Sequence, residues 1–308
     1  MTVRIVEFSG ENPELVEGLC LHPSDPRKML EVMTPYMEVR RRWLQGMVRK
    51  GLRVAVALGA DGEKQGLVEC VPVEWAAEPV SGEESLFINC LWVLPRYWKS
   101  GVARAMMEYV IARAKGDEDP RRLGLPAGSL TQYVRPSDEA TRPRSRQSYG
   151  GITVLGYEKD RWFGYFSYMP ASFFKRLGFA VVDRDGSRIL LHLDLGGARR
   201  PFLMRPRMRT DVQTAHAHHV VEVLYSSQCP WSGWMIDGVM RSLRRFDVEV
   251  RLVNTDERAA MEAYGLSRGV CVDGLPLVNR LASGREVARA VERYLEEVKC
   301  TLNDPNAK

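Results

Sequence analysis

The sequence predicts an α/β (α+β) chain in two parts, a larger mixed domain over residues 1–197 and a smaller βαβαββα domain over 220–308. Three observations carry that prediction. An apolar strand at 85–94 runs through a proline into a glycine-opened helix, whose apolar residues recur at 102, 106, 109 and 110, the spacing of one buried helix face. Over 198–219 the composition turns to Pro, Arg and His, the composition of a linker. From Val220 the strand and helix periodicities then start afresh.

The first domain opens with an alternating strand over residues 3–8. A helical stretch follows at 26–50, with Met29, Met33, Met37 and Trp43 among its apolar residues. Pro35 is expected to divide it into two helices, because a proline inside a helix lacks the N–H that the ladder needs. Residues 53–59 and 65–75 read as a strand pair joined by an Asp61-Gly62 turn. The strand at 85–94 comes next.

From about 117 to 150 the pattern breaks into a Pro- and Arg-rich basic insertion, expected as a solvated loop, with a lid over an acidic substrate as the alternative. A strand at 151–158 and a short helix at 170–177 follow, with Pro170 at its start, where a missing N–H is harmless. Residues 179–183 and 189–195 close the domain as a hairpin about Asp185-Gly186.

In the second domain a strand at 220–225 leads through Ser226-Ser227-Gln228-Cys229-Pro230-Trp231-Ser232 into a helix with Met235, Ile236, Val239 and Leu243 on one face. A strand at 248–253, a helix at 257–264, a hairpin about Asp273-Gly274 and a helix through Val287, Val291, Leu295 and Val298 complete the order.

Composition bounds the function. With 308 residues, 45% of them apolar and 27% charged, the chain fits an ordinary globular protein with two cores. The apolar runs are too short to span a membrane and no signal peptide is recognisable, so the expected compartment is the cytosol. The six cysteines form no Cys-x-x-Cys pair, which fits reduced thiols rather than a disulfide framework or a structural zinc site. His216, His218 and His219 lack a partner Cys or carboxylate at fixed spacing and read as linker, not as metal ligands. A net charge of +5 suits anionic ligands, and no nucleic-acid partner is expected.

The chemistry concentrates at 91–104. A helix N-terminus presents unpaired backbone N–H groups and the positive end of the dipole, so it attracts phosphate. Gly101 and Ala103 keep side chains away where a phosphate would approach, and Lys99 and Arg104 add positive charge.

Trp98-Lys99-Ser100-Gly101-Val102-Ala103, after a strand ending in Val93-Leu94-Pro95, resembles motif A of the GNAT N-acetyltransferases. Trp98 stands where that motif has Gln or Arg. A second match, Phe173-Phe174-Lys175-Arg176-Leu177-Gly178-Phe179, looks like the family's Phe-Tyr-x-x-x-Gly-Phe segment. The resemblance covers about the first two thirds of the chain and implies a GNAT fold, acetyl-CoA as cofactor, and acetyl transfer to a primary amine of a small molecule or peptide. It assigns the pantetheine arm to Leu91, Trp92 and Val93, and the phosphates to Trp98, Lys99, Ser100, Gly101, Val102, Ala103 and Arg104.

Its acid and base are less regular. The family's tyrosine acid falls at Phe174, leaving Tyr165 and Tyr168 as substitutes, with Tyr168 the candidate. The family's carboxylate base falls at Asn89, leaving Glu69 and Glu74, while Cys90 reads as a small buried side chain. Phe174 and Asn89 favour the alternative, a protein that binds CoA as a sensor on a degenerate acetyltransferase site.

Cys229-Pro230-Trp231-Ser232 resembles the Cys-Pro-x-Ser site of monothiol glutaredoxins, and the βαβαββα order is that of thioredoxin-like modules. A thiol at a helix N-terminus is activated by the dipole, so Cys229 is expected to hold a low-molecular-weight thiol, a metal or an anion. Arg268 replaces the cis-proline usual in such modules. An acetyltransferase joined to this module resembles the YoaP-like acetyltransferases.

Overall fold

The computed structural model describes residues 3–8, 12–21, 26–116, 130–134, 148–158, 161–162, 166–167, 169–212 and 219–302. The chain divides into two compact units, Met1–Leu203 and Met204–Lys308. The first holds strands β1 (Val3–Glu7), β2 (Arg53–Leu58), β3 (Lys64–Pro72), β4 (Val80–Glu83), β5 (Ser85–Val93) and β6 (Leu130–Val134). It continues with β7 (Gly151–Tyr157), β8 (Arg161–Trp162), β9 (Phe166–Ser167), β10 (Ala180–Asp185), β11 (Arg188–Asp194) and β12 (Arg199–Leu203). Its helices are α1 (Pro26–Val48), α2 (Val102–Ala114) and α3 (Ala171–Arg176). Eight strands form one sheet in the order β10-β11-β7-β5-β3-β2-β1-β6.

Each face of that sheet has its own core. Val102, Met106, Tyr109 and Val110, the four positions expected to face inward from α2, are all buried with Ile88 and Val154 beneath them. Burying each aliphatic side chain on that face contributes roughly 1.5–3 kcal/mol. Tyr109 donates to the buried Glu7 carboxylate, and Arg113 approaches the same carboxylate at 3.2 Å, which ties α2 to β1. On the opposite face Leu44 and Met47 of α1 pack with Val56, Leu67 and Phe87. A fully buried ion pair, Arg40 with Glu69, joins α1 to β3.

Three expectations need correction. Helix α1 runs through Pro35 unbroken. Pro35 is exposed, so the carbonyl it leaves without an N–H meets water, and Thr34 Oγ1 donates back to the Leu30 carbonyl at 2.7 Å. The insertion expected as a loop contains β6, which extends the sheet in parallel beside β1. Its other residues, 117–129 and 135–147, lie outside the described set.

The linker expected at 198–219 is also structured in part. Strand β12 pairs antiparallel with β4, a short strand that the sequence reading missed. In the second unit the Arg207 N–H donates to the Tyr264 carbonyl at 2.9 Å, and the Arg209 N–H to the Gly274 carbonyl at 3.0 Å. Gly265 and Gly274 make this possible, since a Cβ on either would stand about 2 Å from a carbonyl oxygen of that segment. The Arg209 guanidinium stacks over the Tyr264 ring and pairs with Asp211. An arginine-rich stretch that reads as solvated is thus tied down by its arginines.

The second unit holds β13 (His219–Tyr225), α4 (Pro230–Leu243), β14 (Val248–Asn254), α5 (Arg258–Tyr264), β15 (Gly269–Val272), β16 (Leu275–Val278) and α6 (Gly284–Leu302). The order is βαβαββα, and the sheet order is β14-β13-β15-β16 with β13 and β14 parallel. Val239, Leu243, Val287 and Val291 of α4 and α6 fill one face. On the other, Tyr264 donates to the buried Glu222 at 2.7 Å.

Candidate functional site

The first unit's site begins where β5 leaves its neighbour. Strand β5 pairs in parallel with β7 only over Ser85 to Ile88, while β7 continues beside β11 to Tyr157. At the parting point the register of β5 against β3 shifts: Ile88 faces Cys70 and Cys90 faces Glu69, so Asn89 is an extra residue. Such a bulge bends and twists a strand locally. Beyond it, the Leu94 N–H donates to Gln65 of β3 at 2.9 Å. Backbone groups alternate along a strand, so those of Leu91 and Val93 face the gap.

The loop after β5 completes the site. A single 3₁₀ turn, Pro95–Tyr97, leads to Trp98, and Ser100 Oγ donates to the Tyr97 carbonyl. Lys99 sits at φ 64° and Gly101 at φ 92°, two left-handed residues just ahead of α2. Gly101 is the N-cap, with no side-chain cap, and the first helical bond runs from the Ala105 N–H to the Gly101 carbonyl. The preceding N–H groups, at 101–104, therefore remain as donors for a ligand. A Cβ at Gly101 meets no atom within 4 Å, so any side chain there would project into this open cradle.

These pieces line one cleft of about 500 Å³. Leu91, Trp92, Val93, Trp98, Lys99, Gly101, Val102, Ala103 and Arg104 all border it. Ser100 does not border it, and its hydroxyl holds the loop instead. The cleft also takes Tyr97, Met169, Pro170, Phe173 and Arg176, which sequence reasoning had not assigned. Met169 precedes α3 and carries no motif signal; only the fold brings it beside β5. Lys99, Arg104 and Arg176 make the described charged lining entirely cationic.

Candidate acid and base groups fare differently. Tyr165 and Tyr168 lie outside the described residues. Phe174 is fully buried and meets Phe173 and Phe179 edge-on. Glu69 is fully buried against Arg40, and Glu74 is exposed. Asn89 is buried, and its Oδ1 accepts the Ala77 N–H at 3.0 Å. Cys90 is half-buried.

In the second unit Cys229 is the N-cap of α4, half-buried, with Pro230 at the first helical position. Arg268 lies against this turn: its Nη2 donates to Gln228 Oε1 at 2.9 Å and its Nε to Ser232 Oγ at 3.2 Å. His219 pairs with Asp273 at 2.6 Å, while His216 and His218 lie outside the described residues. Among the described residues there is no cluster of three or more His, Cys, Asp or Glu that could hold a metal. No described helix is long and apolar enough to cross a membrane.

Residues 21–129 match the acetyltransferase (GNAT) family model. The chain is 22% identical over 248 residues to the uncharacterized N-acetyltransferase YoaP of Bacillus subtilis, covering 79% of this chain and 83% of that protein. Among solved structures it is similar to the GNAT family N-acetyltransferase YhbS from Escherichia coli in complex with CoA. That similarity has 13% identity, a TM-score of 0.34, and coverage of 62% of this chain and 81% of that one. It is also similar to the Campylobacter jejuni N-acetyltransferase PseH in complex with acetyl coenzyme A, with 10% identity, a TM-score of 0.35, and coverage of 62% and 98%. The family-model match lies within the first unit, which also holds the cleft.

Proposed function

We propose that the protein is an acetyl-CoA-dependent N-acetyltransferase acting on a primary amine of a small molecule or peptide. One observation carries this reading: a single cleft joins the parted end of β5, the uncapped N-terminus of α2 and three cations. The residues fit the cofactor. Backbone N–H groups at 101–104, with Lys99, Arg104 and Arg176, suit a polyanion, and the cleft-facing amides of Leu91 and Val93 suit an arm that carries amides. When bound, acetyl-CoA supplies an acyl group activated as a thioester. The chain's part is to aim backbone N–H groups at the acyl oxygen, which needs no particular side chain.

A thiol with an ordinary pKa of about 8.5 leaves tolerably without an acid, so Phe174 is compatible with slow transfer. Incubating the protein with acetyl-CoA and a library of amines, and following free thiol, tests the reading. Release above the amine-free rate is expected. Tight CoA binding without turnover on any amine would support the sensor reading, which the buried Phe174 ring and the Arg40-bound Glu69 favour.

We further propose that the second unit is a thioredoxin-like module, supported by its βαβαββα order and its sheet order. Cys229 would hold a small thiol, a metal or an anionic ligand there. Burial pushes the Cys70 and Cys271 thiols up to about 12, so both should resist alkylation in the native protein. Mass mapping after brief iodoacetamide treatment should find Cys229 modified ahead of them. Cys229 protected until unfolding would leave the module a structural role. A cytosolic setting fits this thiol chemistry.

A further inference from the structure

We infer that Trp98 and Met169 form a displaceable pair that occupies the cleft's strand-derived backbone groups until the cofactor takes them; this rests on reading the cleft as the CoA site. Past the bulge, the Leu91 N–H and the Val93 carbonyl face the gap between β5 and β7, where strand pairing has ended. Each already has a partner of an unusual kind. The Leu91 N–H donates to Met169 Sδ at 3.2 Å. The Trp98 indole Nε1–H donates to the Val93 carbonyl at 2.7 Å. The Met169 carbonyl accepts the Tyr157 N–H at 3.0 Å, so this residue bridges the two diverging strands.

Both partners are built to yield. A thioether sulfur is a weak acceptor, inferior to the carbonyl of an amide-bearing arm. Trp98 is 47% exposed, so its ring already stands partly in solvent. The backbone at the pair is strained: Met169 is held at φ 46° and Lys99, next to Trp98, at φ 64°. Neither residue can donate a proton to a leaving thiolate while keeping these contacts, so their role is positioning rather than catalysis.

The consequence is a cleft whose strand-derived backbone groups are already satisfied and whose apparent affinity for CoA is reduced by the fraction of molecules in which the pair is engaged. Removing one partner should therefore tighten binding. The test is titration of the full chain with CoA, by calorimetry and intrinsic fluorescence, for wild type, Trp98→Phe and Met169→Leu. Phe keeps an aromatic ring but donates nothing, and Leu keeps volume but accepts nothing. Trp98→Phe is expected to bind CoA about three- to tenfold more tightly, the scale of one neutral hydrogen bond. Met169→Leu should shift affinity the same way. Wild type should also show a fluorescence change with CoA that Trp98→Phe loses. Equal or weaker binding by Trp98→Phe with an unchanged fluorescence response overturns the inference, as does unaltered affinity in Met169→Leu. Failure of all three folded proteins to bind CoA overturns the cofactor reading itself, and this inference with it.

Discussion

The chain builds a strand, a loop and a helix N-terminus twice, and treats the two helix starts in opposite ways. At α2 the N-cap is Gly101, the loop turns through two left-handed residues, and the first backbone donors open onto a cleft of about 500 Å³. At α4 the N-cap is Cys229, Pro230 removes one donor outright, and Arg268 bridges Gln228 and Ser232 beside the turn. One helix start relies on the main chain and leaves room for a large anion. The other is dressed by its own side chains and offers a single thiol. A helix dipole favours negative charge at both, so the dipole alone does not choose the ligand. Space and side-chain partners do.

The largest expected effect tests whether the first unit's buried charge belongs to the fold or to the cleft. Glu69→Ala would leave Arg40 buried without its carboxylate, and a destabilisation of about 3–5 kcal/mol is expected in urea unfolding. Intact stability with lost turnover would instead make Glu69 part of the chemistry. Next, Gly101→Val puts a side chain into the cradle and a β-branched residue at φ 92°. CoA affinity measured by calorimetry should fall by about 2 kcal/mol, roughly thirtyfold. Wild-type affinity would show that α2 is not the phosphate site.

A smaller effect is expected at the second helix start. Arg268→Ala takes a partner from each of two buried side chains, Gln228 and Ser232, at a cost of about 1–2 kcal/mol in the second unit's unfolding transition. If stability stays level while Cys229 alkylation slows, Arg268 serves the thiol and not the scaffold.

The smallest effect lies at the far end of β5 and β7, away from the cleft. Ser85, Thr153 and His192 form a buried chain of hydroxyl, hydroxyl and imidazole, at 2.7 and 3.0 Å. Burial holds the His192 pKa below the usual histidine range, with Asp194 opposing. The unfolded chain therefore binds a proton first as pH falls. This contribution to stability is complete above the ordinary imidazole pKa of about 6.5 and declines below it. Denaturant midpoints measured from about pH 7.5 down to about 5.5 should fall, and His192→Gln should flatten that fall. An identical slope in the variant would clear His192.

Much of the site was legible before the structure because it is made of backbone. The 98–104 loop needs glycine at a left-handed position, and the helix after it needs one apolar face; both leave marks in sequence. Residues that contribute side chains were legible only in part. Tyr97 stood just ahead of the first motif and Arg176 inside the second match, neither with a recognised role, and Met169 reaches the cleft through long-range folding that no local pattern encodes. The arginine-rich 198–219 segment misled for the same reason, since composition cannot tell a solvated arginine from one stacked on Tyr264.

The sequence by itself determined the βαβαββα order of the second unit, the buried face of α2 and the glycine-opened turn ahead of it, because periodicity, capping and turn chemistry act over a few residues. Only the tertiary structure decided where β5 parts from β7, that Glu69 pairs with Arg40, and that Trp98 and Met169 meet the cleft's backbone groups. Those outcomes depend on which distant residues share the interior, and a buried polar group takes whichever partner the packed fold brings within reach.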